Sequence, residues 1–116
     1  MSGINVKHFD APDQTINDFK NAKIDEVKVG DQKVSRLTLS PGWKWSTDIK
    51  PAVGTESCQT PHLGVIVKGT MCIKHDDGTE LTYSAGNAYQ ITPGHDGWVV
   101  GDEAAILYEF SGRWGE

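Results

Sequence analysis

The sequence predicts an all-β domain, built as a sandwich or a barrel. About nine or ten short stretches alternate apolar and polar residues, turn-forming residues separate them, and no segment sustains a helical period. Short strands at such regular spacing pack as two sheets or close on themselves.

Taken in order, residues 4–9 (Ile-Asn-Val-Lys-His-Phe) alternate and predict a short edge strand. Residues 13–20 predict one helical turn, capped by Asp13 or Thr15, with Ile16 and Phe19 on one face. Residues 1–23 thus read as an arm over a single barrel domain at 24–116. Strands are expected at 24–29 and 32–39, hinged at Gly30-Asp31, and Pro41-Gly42 marks a turn. Residues 43–46 alternate again and predict a strand with Trp43 and Trp45 on one face; 48–55, with Pro51 and Gly54, reads as a loop. A hairpin at 63–67 and 70–75 turns at Lys68-Gly69, and Asp76-Asp77-Gly78 leads into a strand at 79–83. Strands at 88–92, 98–100 and 104–111 complete the set.

Composition narrows the function. A chain of 116 residues has room for one core, and 37% hydrophobic with 23% charged residues fits an ordinary globular protein. The net charge of -5 argues against a nucleic-acid partner, which needs a clustered basic surface. The lysines of 20–28 are interrupted by Asp25 and Glu26 and read as a solvated face. No apolar run approaches the roughly 18 residues that cross a bilayer, so no membrane partner is expected. Residues 1–10 lack the apolar core of a signal peptide, which makes a cytoplasmic location the expectation and Cys58 and Cys72 free thiols.

The order of turns and glycines resembles the cupin superfamily, small barrels whose two motifs lie on neighbouring strands. The first family motif runs Gly, His-x-His, a spacer, Glu, a spacer, Gly. Here Gly69 matches the closing glycine, His62 stands at the Glu position, and Cys58 and Glu56 stand at the two His positions. In the second motif Gly86 and Gly94 match, Thr92 stands at the Pro position beside Pro93, Gly97 takes the metal-binding His position and Gly101 the Asn position. The likeness spans residues 34–110 and is closest to small single-domain cupins carrying Pro-Gly-Trp early and Pro-Gly-His-Asp-x-Trp-Val-Val-Gly-Asp-Glu late, a subgroup without an established reaction. It implies a double-stranded β-helix, or jelly-roll barrel, with its glycine framework kept and its metal ligands replaced.

Residues two apart on a strand share a face, so Glu56, Cys58 and His62 are expected to point inward together. His95 shares the parity of Gly97 and can use the space that glycine leaves. A carboxylate, a thiolate and two imidazoles suit Zn²⁺, and also Fe²⁺, Ni²⁺ or Cu²⁺. Structural roles fit the same residues: a buried apolar Cys58, a solvated Glu56, and histidines bonded to backbone or Asp96. His8 and His75 read as exposed, and Cys72 as core.

Arg36, Trp45, Tyr89 and Trp98 are candidate ligand-pocket residues, with Trp43 an alternative core filler. Arg36 meets a ligand carboxylate if its face is internal, or a surface carboxylate if it is not. No Gly-x-Ser-x-Gly, phosphate loop, Cys-x-x-Cys or His-Glu-x-x-His is present, so no catalytic residue is assigned. Two functions fit: a metal-dependent dioxygenase, isomerase or lyase acting on a small polar or carboxylated compound, or a non-catalytic ligand-binding or sensing barrel without metal. The strand at 63–67 is apolar on both faces, so its outer face needs a cover, either the N-terminal arm or a second subunit; with the resemblance, this implies a homodimer.

Overall fold

A computed structural model describes residues 3–115. Among the described residues, nine strands form two antiparallel sheets. The strands are β1 (Gln14–Ile16), β2 (Ala22–Val29), β3 (Gln32–Leu39), β4 (His62–Lys68), β5 (Thr70–His75), β6 (Glu80–Ser84), β7 (Ala88–Ile91), β8 (His95–Val99) and β9 (Ala105–Ser111). The large sheet runs β1-β2-β3-β9-β4-β7 and the small one β6-β5-β8, which together make the jelly-roll barrel. Among the described residues no helix is long and apolar enough to cross a membrane.

Strand alternation sets the core. On β3 and β9 the inward residues Leu37, Leu39, Ala105 and Leu107 are fully buried, and they meet Met71 and Ile73 of β5 across the barrel. Trp43, Trp45 and Trp114 fill the remaining space and are fully buried. Such large side chains contribute most of the apolar area removed from water.

Five local expectations are corrected. Residues 4–9 form no strand, and 13–20 hold strand β1 rather than a helical turn. The Asp13 carboxylate accepts from the Lys28 backbone N–H at 2.7 Å and from Lys7 at 2.9 Å, and the Thr15 hydroxyl donates to Asp25 at 3.0 Å. These bonds align the segment with β2, and the paired ladder outweighs one turn of intrinsic helix preference. Residues 43–46 do not continue as a strand, because α1 (Trp45–Asp48) begins inside them. Carboxylates satisfy the first-turn amides there: Lys44 N–H donates to Asp48 at 3.1 Å and Ser46 N–H to Asp96 at 3.1 Å. The expected loop at 48–55 contains a second turn, α2 (Lys50–Val53), closed by Gly54 in the left-handed region at φ 79.

The fifth correction bears on the site. The strand expected at 98–100 begins at His95, so His95 lies in the ladder as β8's first residue and pairs with His75 of β5. Cys72, expected in the core, is buried, with its sulfur 3.7 Å from Glu80.

Candidate metal centre

Three separate elements bring Cys58, His62 and His95 together. Cys58 lies outside the named strands, but exchanges backbone bonds with His95: Cys58 N–H to His95 O at 2.7 Å, and His95 N–H to Cys58 O at 3.2 Å. That bridge fixes the thiol against the start of β8. His62 opens β4 opposite Ile91 and points into the barrel. One ligand atom from each of the three lies within 4.8 Å of the others, and all three residues are buried.

The hydrogen bonds assign the imidazole nitrogens. His95 Nδ1 lies 2.8 Å from the Thr92 carbonyl, which only accepts, so Nδ1 carries the proton and Nε2 the lone pair. That Nε2 is buried and has no partner among the described residues. An orphaned acceptor in a dry interior is destabilising unless something fills it. His62 Nδ1 donates to the Glu109 carboxylate at 3.2–3.3 Å, leaving Nε2 3.7 Å from Cys58 Sγ. A histidine that gives its far N–H to a carboxylate and turns its other nitrogen to a neighbouring thiol has the arrangement of a metal ligand with its outer partner. The donor set fits Zn²⁺ or a related divalent ion, with a fourth position left for another ligand.

Glu109 is the residue that sequence reasoning missed. Its carboxylate is fully buried and takes three donors: His62, the Tyr89 hydroxyl at 2.7 Å and the Trp114 backbone N–H at 3.2 Å. Gly64 makes room for this, since a Cβ there would lie 2.9 Å from the Tyr89 oxygen and 3.1 Å from Glu109. The available signal was parity: Glu109 stands two residues after Leu107 on the inward face of β9.

Electrostatics polarise the pair. Burial pushes the Cys58 thiol up, but the neighbouring His62 and His95 imidazoles outweigh it and bring the thiol down to about 6. Burial likewise pushes His62 down, while Cys58 and Glu109 raise it to about 9. Between those values the metal-free protein holds a thiolate beside an imidazolium, and the two titrations belong to the pair. Thiolate absorbance in metal-free protein is therefore expected to appear with a midpoint near 6. In His62→Gln, which removes the cation, the midpoint moves above about 8. An unchanged midpoint in that variant contradicts the pairing.

The other expected residues are placed as follows. The Glu56 side chain is wholly exposed and reaches Lys50 at 3.4 Å, away from the three ligands. Arg36 faces outward, bonded to Asp25 at 2.9 Å and Asp10 at 3.0 Å beneath Phe9. Trp45 is core, and Trp98 is half-buried on β8 with the Lys44 ammonium 5.2 Å from its ring. Of the four pocket candidates Tyr89 alone lines a cleft of about 510 Å³ between β5, β6 and β7. Ile73, His75, Leu81, Tyr83, Ile91 and Thr92 are among its other walls. His75 is not idle there: its Nε2 lies 2.9 Å from the Thr92 hydroxyl, on the residue whose carbonyl holds His95.

No family model matches the chain, and no curated protein does. Solved structures do. A protein of unknown function from Vibrio parahaemolyticus is 22% identical, with a TM-score of 0.60 over 83% of this chain and 95% of that one. An RmlC-like cupin from Shewanella frigidimarina is 14% identical, with a TM-score of 0.61 over 94% of each chain. KdgF from a Halomonas species is 14% identical, with a TM-score of 0.59 over 86% of this chain and 88% of that one. At these identities the likeness is one of fold.

Proposed function

The chain has the cupin fold, and from that premise we propose that it is a metal-dependent enzyme acting on a small polar molecule. Cys58, His62 and His95 hold a divalent ion, and Glu109 orients His62 from behind. The observation that carries this reading is the convergence of three ligand atoms within 4.8 Å, with His95 Nε2 buried and unpartnered. When bound, the ion supplies Lewis-acid polarisation of a substrate oxygen, the step shared by the dioxygenase, isomerase and lyase chemistries that fit the fold. The chain's own residues hold the far N–H of each imidazole, keep water from the ligands, and offer the cleft beyond Ile73 as a substrate space. Elemental analysis of protein purified without a histidine tag tests the proposal. Stoichiometric zinc, iron, nickel or copper is expected; metal-free protein that still binds a small molecule in the cleft would favour the non-catalytic reading.

The cleft refines the ligand. No lysine or arginine lines it, and Asp77 does, so an uncharged polar compound suits it better than a carboxylate.

We further place the protein in the cytoplasm as a homodimer. Leu63, Val67 and Phe110 are about half exposed on β4 and β9, on the outer side of the large sheet. Exposed apolar side chains sharing one sheet face are the kind of surface that associates. Light scattering at micromolar concentration is expected to give a dimer mass, falling to the monomer in Leu63→Asp/Val67→Asp. A wild-type monomer contradicts the dimer.

A further inference from the structure

We propose that Trp114 is the gate between the cleft and the metal centre, and that withdrawal of residues 112–115 is the route by which a ligand reaches the ion. The proposal rests on the metal reading for the identity of what lies behind the gate. The gate itself stands on geometry alone.

Nothing in the closed structure reaches the three ligands. Cys58, His62 and His95 are 3%, 1% and 0% exposed. The Trp114 indole lies stacked on His62 at 4.3 Å between ring centres, edge-on to His95 at 5.0 Å and edge-on to Trp43 at 5.3 Å. Its far edge rests over Gly97: a Cβ there would lie 2.9 Å from Trp114 and 2.7 Å from the tip of Ile73. Ile73 also lines the cleft. Over that glycine, then, one wall of the cleft and the cover of the centre meet.

The walls differ in what holds them. His62 and Glu109 belong to the paired strands β4 and β9, and His95 to β8 paired with β5. Trp43 is tied by the Val99 N–H to its carbonyl at 3.0 Å. Trp114 lies beyond the end of β9, in no strand. Its segment is held by the Trp114 N–H on Glu109 at 3.2 Å and by Arg113 on Glu26 at 2.7 Å. Gly112 and Gly115, both with positive φ, flank it. The indole N–H is also buried without a partner among the described residues, so the closed state carries a desolvated donor that withdrawal would restore to water. Trp114 is the wall that lies outside the ladders: its withdrawal breaks the bonds to Glu109 and Glu26 and uncovers the indole, but unpairs no strand.

Metal-free full-length protein tests the gate through Cys58 labelling, with Cys72 read separately by peptide mapping. In wild type the bulky aromatic disulfide DTNB is expected to label Cys58 slowly, at a rate that barely changes in low urea, the signature of local opening. In Trp114→Ala the Cys58 rate should rise at least about tenfold with Cys72 little changed, and Trp114→Phe should restore protection. An unchanged Cys58 rate in Trp114→Ala overturns the proposal. So does a joint rise at both cysteines that follows the urea dependence of global unfolding, which is plain destabilisation. A second arm uses Co²⁺-loaded protein with imidazole as probe: Trp114→Ala should show a shifted visible spectrum at imidazole concentrations that leave wild type unchanged, and equal shifts in both contradict the gate. Failure of Co²⁺ to bind at Cys58 would remove the metal reading alone, because the labelling arm needs no metal.

Discussion

His95→Ala is expected to lose stoichiometric metal binding while the chain stays folded. The substitution removes the His95 Nε2 lone pair, buried in the centre with no partner among the described residues. It leaves Cys58 and His62 as two ligands, too few for the three protein ligands of a catalytic site. Affinity should fall by more than about a hundredfold, beyond the effect of losing an outer partner. The lost bond to the Thr92 carbonyl costs only about 1 kcal/mol, so circular dichroism should remain that of a β barrel. Competition against a chromophoric chelator measures the affinity. Retention of wild-type affinity would place the ion elsewhere.

Glu109→Ala should produce the largest loss of stability. The carboxylate answers three donors at once, and its removal orphans a buried imidazole, a buried phenol and a backbone N–H. Breaking a buried charged pair by removing one partner costs about 3–5 kcal/mol, and the void adds to that. Urea unfolding should show the midpoint fall with its slope kept. Glu109→Gln keeps the size and one acceptor, so it should lose less stability, yet still weaken metal binding about 10–100-fold by loosening His62. Equal losses in the two variants would mean that Glu109 acts only as filler.

The barrel was legible because alternation on β3, β4, β5 and β9 runs through continuous strands, where a buried face leaves a period of two. The inward placement of His62 was legible through its spacing from Gly69, and that of His95 through its shared parity with Gly97. Glu56 was misplaced by the same rule: parity holds only within a strand, and Cys58 sits in an isolated bridge with Pro61 between it and β4. For Arg36 parity was sound but the face was open. Leu37 and Leu39 take the inside of β3, which turns the guanidinium toward Asp25. Trp114 was beyond reach, because a residue after the last strand has no period to reveal that it folds back over His62.

X-ray absorption at the metal edge bears most directly on the centre formed by Cys58, His62 and His95. Zinc-loaded protein is expected to show one sulfur at about 2.3 Å and two imidazole nitrogens at about 2.0–2.1 Å, with the sulfur shell gone in Cys58→Ser. A shell of oxygen and nitrogen alone in the wild type would contradict that coordination.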